Sequence, residues 1–171
     1  YGKFLGPNGC IDNCTFSPQK YFYKKICLEK CDSSTYTINI TYDGKNLIDA
    51  NKYPDPYECL DKCPTGTYTD EDSKQCLIAS CPNDKFIYPN NSCIETCEND
   101  FTYEETIALD VEPEGEDPTI DVVKKYCSSF CPREFPYYHY KFKRCENTTC
   151  ISGKLYSAFE NPYVCWLSVS L

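Results

Sequence analysis

The 171-residue sequence predicts a small disulfide-rich repeat array, an elongated rod of single-disulfide modules with short β-hairpins and little or no helix. Three observations lead there. The chain holds 15 Cys, a density that belongs to disulfide scaffolds rather than cytosolic enzymes. Those cysteines come in pairs that begin at positions 10, 27, 59, 76, 93, 127 and 145, with a lone Cys165 at the end, so the period is near 17 with two units stretched to nearly double. Leu, Ile, Val and Phe together make only 34 of the 171 residues, about a fifth, which is where a chain begins to lack the apolar side chains of an ordinary core.

A fixed period implies stacked units, each too small to bury a face alone, and residues 1–171 read as one array of about seven modules. A disulfide closing a loop of about a dozen residues removes roughly 3 kcal/mol of unfolded-chain freedom, so seven give a ceiling near ~20 kcal/mol. Sequence alone allows many connectivities. The spacing favours joining the second Cys of each pair to the first of the next: Cys14 with Cys27, Cys31 with Cys59, Cys63 with Cys76, Cys81 with Cys93, Cys97 with Cys127, Cys131 with Cys145, and Cys150 with Cys165. The alternative, bridges within each pair, closes only tiny rings and leaves Cys165 alone. In the first scheme Cys10 is left over, for an upstream partner or another molecule. With no Met and an opening YGKFLGPNGC that lacks signal-peptide features, the chain reads as processed or as a segment of a longer protein.

Each loop carries an aromatic four to seven residues after its opening Cys: Tyr21, Tyr36, Tyr68, Phe86, Phe101, Phe135 and Tyr156. Such a ring supplies a large apolar area with a wet hydroxyl in the case of Tyr, and each is expected to serve as the private core of its module. Pro64, Pro82 and Pro132 directly follow cysteines and favour turns. Runs at 67–69 and 85–88 read as short strands, and no stretch sustains a helical period.

Asn-x-Ser/Thr triplets stand at Asn13, Asn39, Asn90 and Asn147, acceptors for N-linked glycans only in the secretory pathway. Cysteines and sequons therefore agree on an extracellular or cell-surface address. Net charge is −9, which argues against nucleic acid as a partner, since phosphate binding needs clustered Lys and Arg. No segment is long and apolar enough to span a bilayer. The charge is unevenly spread. Between Lys85 and Lys124 no basic residue occurs, while eleven acids do; from Lys124 to Arg144 six basic residues face only Glu134.

The phrase CLDKCPTGTYTDEDSKQC at 59–76, C-x3-C-P-x-G-x-Y-x7-C, resembles the furin-like cysteine-rich repeats of growth-factor-receptor ectodomains, in particular their single-disulfide bow-loop modules. It is also similar to cysteine-rich surface proteins of ciliates and other protists. The resemblance runs from Cys10 to Cys165 and supports the pairing favoured by spacing, because bow-loop modules join the second Cys of one pair to the first of the next. The chain departs from the pattern in places: the Gly is clear only at Gly66, Pro is absent after Cys14, Cys31, Cys97 and Cys150, and two-disulfide modules do not appear. Receptor signalling is therefore not carried over. One long bow loop acts as a dimerisation arm in those receptors, which makes the long loops 32–58 and 98–126 the candidate contact surfaces here.

The second of these contains EETIALDVEPEGEDPTIDVV, where Ile107, Leu109 and Val111, then Ile120, Val122 and Val123, flank a turn-forming EPEGEDP. Alternation of this kind is a hairpin signal. Its acids Glu112, Glu114, Glu116 and Asp117 read either as a solvated insertion or as an arm docking on a basic face of a neighbouring module or molecule. Catalytic chemistry finds no foothold: His139 is the only histidine and the cysteines are expected to be oxidised. Zinc would want C-x2-C spacing and reduced thiols. The acidic groups lack the spaced ligands and fixed Gly of a calcium loop. No cofactor or metal is expected, only N-linked glycans.

The sequence thus predicts a non-enzymatic extracellular structural protein, a glycosylated and disulfide-laddered rod of a cell coat, appendage or filament. It would self-associate or bind another extracellular protein. The competing readings are an adhesin or receptor-like ectodomain binding a protein ligand through a long loop, and an accessory tail of a secreted processing protease.

Overall fold

In the computed structural model, the described residues are 4–6, 9–11, 13–14, 19–47, 52–82, 84–98, 100–112, 119–139, 142–147 and 164–165. They form a small, cysteine-rich, β-rich structure of short strands with no α-helix among them. The chain divides into two compact units, Tyr1–Ser80 with Ala108–Val122, and Cys81–Ile107 with Val123–Leu171.

The first unit opens with two hairpins laid side by side. Strands β1 (Phe4–Gly6) and β2 (Gly9–Ile11) are antiparallel with Leu5 opposite Cys10, and β3 (Tyr21–Tyr23) and β4 (Ile26–Leu28) are antiparallel with Phe22 opposite Cys27. A parallel step from Leu5 to Ile26 joins them into a sheet of order β2-β1-β4-β3. The β3–β4 turn is made by Lys24 and Lys25, at φ 47° and 68°. Two positive φ values match the twist of the flanking strands, although lysine takes this conformation less readily than the Asn and Gly such turns favour. Beyond them come β5 (Thr37–Asn39) and the hairpin of β6 (Thr41–Tyr42) and β7 (Lys45–Asn46), which turns through Asp43 and Gly44 at φ 50° and 76°. Here the residues are the ones such a turn prefers. Strands β8 (Tyr68–Asp70) and β9 (Gln75–Leu77) form a third hairpin with Thr69 opposite Cys76, and β5 lies parallel on the other side of β9.

The second unit is built on one seven-stranded sheet of order β11-β10-β13-β12-β15-β14-β16. Its strands are β10 (Phe86–Ile87), β11 (Cys93–Ile94), β12 (Phe101–Asp110), β13 (Thr119–Ser128), β14 (Tyr137–His139), β15 (Arg144–Glu146) and β16 (Val164–Cys165). The outer ends of β12 and β13 are counted with the first unit. The connection between Asp110 and Thr119 is too short for the crossover that parallel strands need, so β12 and β13 form a hairpin.

One relation recurs in both units. A strand residue pairs in parallel with the residue just before the closing cysteine of the following loop. The pairs are Leu5 with Ile26, Phe22 with Glu58 and Thr37 with Gln75, then Ile87 with Tyr126, Thr102 with Arg144 and Tyr138 with Val164. The chain behind the second cysteine is also uniform. Thr67, Lys85 and Phe135 each donate a backbone hydrogen bond to the carbonyl of Pro64, Pro82 or Pro132 three residues back. After Cys31, where proline is absent, Asp32 does the same work: its carbonyl accepts from Thr35 N at 3.0 Å, and its carboxylate accepts from Ser34 N and Oγ at 2.8 Å. An Asx turn thus replaces the fixed φ of proline.

The aromatic rings do not form private cores. Tyr21, Tyr36, Tyr68, Phe86, Phe101 and Phe135 are only half-buried, and Tyr156 lies outside the described residues. What is buried instead is sulfur and small aliphatics: Cys14, Cys27, Cys59, Cys76, Cys127 and Cys145 with Ile38, Leu47, Leu77, Ala79, Ile87, Val111 and Val122. A two-layer module of a dozen residues has no depth for a whole ring, whereas a disulfide and a valine fit between strands. Two of these rings meet other rings: Tyr21 meets Tyr57 at 5.8 Å and Phe135 meets Tyr103 at 5.1 Å.

Candidate functional site

Six disulfides close among the described residues: Cys14 with Cys27, Cys31 with Cys59, Cys63 with Cys76, Cys81 with Cys93, Cys97 with Cys127, and Cys131 with Cys145. In each, the Cα atoms are 5.3–5.7 Å apart, ordinary disulfide spacing. Every one joins the second Cys of a pair to the first Cys of the next. Cys10 lies in β2 and Cys165 in β16; Cys150, and with it the pairing expected for Cys165, lies outside the described residues. So many disulfides belong to an oxidising environment such as the cell exterior.

The two long loops meet inside the first unit. Leu47, at the end of the β6–β7 hairpin, forms an antiparallel bridge with Val111 at the end of β12. Glu112 N donates to the Asn46 carbonyl at 2.9 Å, and Asn46 Nδ2 donates to Glu112 Oε2 at 2.9 Å. Leu47 is 3% exposed, Val111 1% and Val122 0%. Alternation along β12 and β13 produces this burial, because Ile107, Leu109 and Val111 share one face while Ala108, Asp110 and Glu112 point to solvent. Glu112 thus meets the uncharged side chain and backbone of Asn46, through one side-chain and one backbone hydrogen bond. Glu114, Glu116 and Asp117 lie outside the described residues. Asn46 and Leu47 escape a sequence reading of the site, although the Asp43 and Gly44 pair is a strong hairpin signal that could have drawn attention to them.

Charges that alternate in blocks along the chain pair locally in space. Arg144 Nη2 lies 3.9 Å from Glu104 Oε2, Lys143 Nζ donates to the Glu98 carbonyl at 3.0 Å, and Lys125 pairs with Asp84. The hydrogen bond from Lys125 holds the Asp84 carboxyl below its usual range. Two Tyr–carboxylate–Lys groups stitch the first unit. Tyr23 Oη donates to Asp61 at 2.7 Å with Lys24 3.7 Å from the same carboxylate. Tyr36 Oη donates to Glu71 at 2.6 Å, and Lys74 donates to its other oxygen at 2.5 Å. The Lys74 hydrogen bond, then that of Tyr36, lowers the Glu71 pKa, and Glu71 in turn raises those of Lys74 and Tyr36. Burial raises the Tyr103 hydroxyl, helped by Glu105 and Glu134.

Two sequons share one geometry. Asn39 Oδ1 accepts from Thr41 N and Oγ1, both at 2.9 Å; Asn90 Oδ1 accepts from Ser92 N at 3.0 Å and Oγ at 2.6 Å. Asn39 is half-buried on β5, with Nδ2 donating to Gln75 at 3.4 Å, while Asn90 is exposed in the β10–β11 turn. Asn13 and Asn147 are also exposed.

Among the described residues no group of three or more His, Cys, Asp and Glu is arranged to hold a metal ion. No described helix is long and apolar enough to cross a membrane. His139 stands in β14 opposite Arg144. Compared with known protein families, curated proteins and solved structures, the chain matches none.

Proposed function

We propose that this chain is a non-enzymatic extracellular structural protein, a glycosylated rod of bow-loop modules in a cell coat, appendage or filament. One observation carries the reading: in both units, disulfides that close successive loops are accompanied by a parallel strand step beside the closing cysteine. Loops that are closed covalently and joined to a neighbouring loop by a sheet contact resist both extension and bending, which suits a load-bearing element. The sequons supply solubility and cover in such a setting. Non-reducing peptide mapping, followed by electron microscopy of the purified chain, tests the reading. Ordered oligomers or filaments of the fully oxidised chain support it; a monomer at all concentrations and ionic strengths overturns it.

The second reading is an adhesin or receptor-like ectodomain. The observation in its favour is that the two long loops converge at Leu47 and Val111, so that they offer a composite surface rather than two separate arms. A chain that stays monomeric until an extracellular protein ligand is added would decide for it.

A further inference from the structure

We propose that a cavity beside β15 seats one pyranose ring, and that this ring is the first sugar attached to Asn147. The inference rests on the secretory reading above. The cavity holds about 270 Å³ and is lined by Glu104 and Thr106 of β12, by Phe135, by Arg144 and Glu146 of β15, and by Asn147. That is just under the roughly 300–1,000 Å³ of ordinary small-molecule sites, room for a single ring.

A sugar ring offers hydroxyls around its edge and C–H groups on its faces. Arg144 stands between two carboxylates, with Nη2 3.9 Å from Glu104 and Nε 4.0 Å from Glu146. These separations exceed hydrogen-bond length, so a hydroxyl fits between guanidinium and carboxylate, accepting from one and donating to the other. Thr106 adds a hydroxyl on the same side. Phe135, held against Tyr103 at 5.1 Å, presents an apolar ring for the C–H face. Asn147 follows β15 directly, is exposed, and begins an Asn-Thr-Thr sequon. A sugar on its Nδ2 is tethered at the mouth of the cavity. Tethering raises the effective concentration to the millimolar range, which lets weak contacts fill a shallow site that free sugar would leave empty.

The test uses the full chain secreted from a glycosylating host. Glycan mapping comes first; an endoglycosidase then trims each glycan to one N-acetylhexosamine, and amide exchange is compared with that of Asn147→Gln. The amides of β15 are expected to exchange about tenfold more slowly in the trimmed protein, with Phe135→Leu or Glu104→Gln returning them to the Asn147→Gln rate. Equal exchange in trimmed and Asn147→Gln proteins overturns the proposal, as does a bare Asn147 beside glycans at other sequons. Bare asparagines throughout, with free thiols, would overturn the secretory reading itself. Free N-acetylglucosamine at micromolar concentration, far below the effective concentration of the tethered sugar, is expected not to bind Asn147→Gln. If it perturbs the cavity residues while the linked sugar gives no protection, the cavity belongs to an external saccharide instead.

Discussion

The loop closed by Cys63 and Cys76 and the loop closed by Cys97 and Cys127 obey one rule of closure but hold their shape differently. The short loop is held by its ends. A turn pins Thr67 to Pro64, with Thr67 Oγ1 donating to the Pro64 carbonyl at 2.8 Å; Ser73 Oγ donates to buried Asp70 at 2.5 Å; Cys76 is fully buried between β5 and β8. The long loop has a sequence separation of 30 against 13, too much chain for its disulfide to organise alone. It therefore builds its own hairpin and anchors the outer end through Val111 and Val122. A disulfide can substitute for a core over about a dozen residues; beyond that, apolar alternation returns.

Removing each disulfide tests this contrast most severely. Loop entropy predicts a loss of about 3 kcal/mol for Cys63→Ser with Cys76→Ser, and roughly 0.6 kcal/mol more for Cys97→Ser with Cys127→Ser. The hairpin is expected to reverse that order in chemical denaturation, because β12 and β13 keep their pairing while β8 and β9 lose theirs. Retained amide protection in β12 of the second variant is the supporting observation; loss of it would break the comparison.

Val122→Ala comes next, with an expected loss of about 2 kcal/mol from an emptied buried site. It should also make β12 and β13 more sensitive to protease, an effect that Thr67→Val in the short loop should not have. Gly66→Ala is smaller. At φ 88° a side chain is strained, while the added carbon would meet only Tyr53 Oη at 3.6 Å, so about 1 kcal/mol of backbone cost is expected without a clash.

The smallest effect is in acid. Lys74 and Tyr36 lower the folded-state pKa of Glu71, so its contribution is present above the unfolded carboxylate pKa and is lost as pH falls through the folded one. The group is exposed and the loss is slight. Glu71→Gln should flatten that part of the acid titration of stability, and an unchanged profile would remove the Tyr36–Glu71–Lys74 group from the account.

Much of the β structure was legible from local chemistry. Asp43 and Gly44 specify their turn, the prolines after Cys63, Cys81 and Cys131 specify theirs, and the alternation from Ile107 to Val122 specifies a hairpin with one apolar face, from which Val123 departs by pointing to solvent. The aromatic spacing was legible but misleading, since a ring four to seven residues after a cysteine is a pattern of position that carries no measure of depth. Two of its rings pack against rings outside that spacing, Tyr21 on Tyr57 and Phe135 on Tyr103.

By itself, the sequence determined what depends on near neighbours: strand and turn chemistry, the cysteine period, the sequons and the blocks of charge. Tertiary structure alone decided that Leu47 meets Val111, that Arg144 stands between Glu104 and Glu146, and that Asn147 borders a cavity. Leu47 with Val111 and Glu104 with Arg144 join residues remote in the chain, and their register follows from how disulfides and parallel strand steps bring separate loops together, which no local propensity encodes.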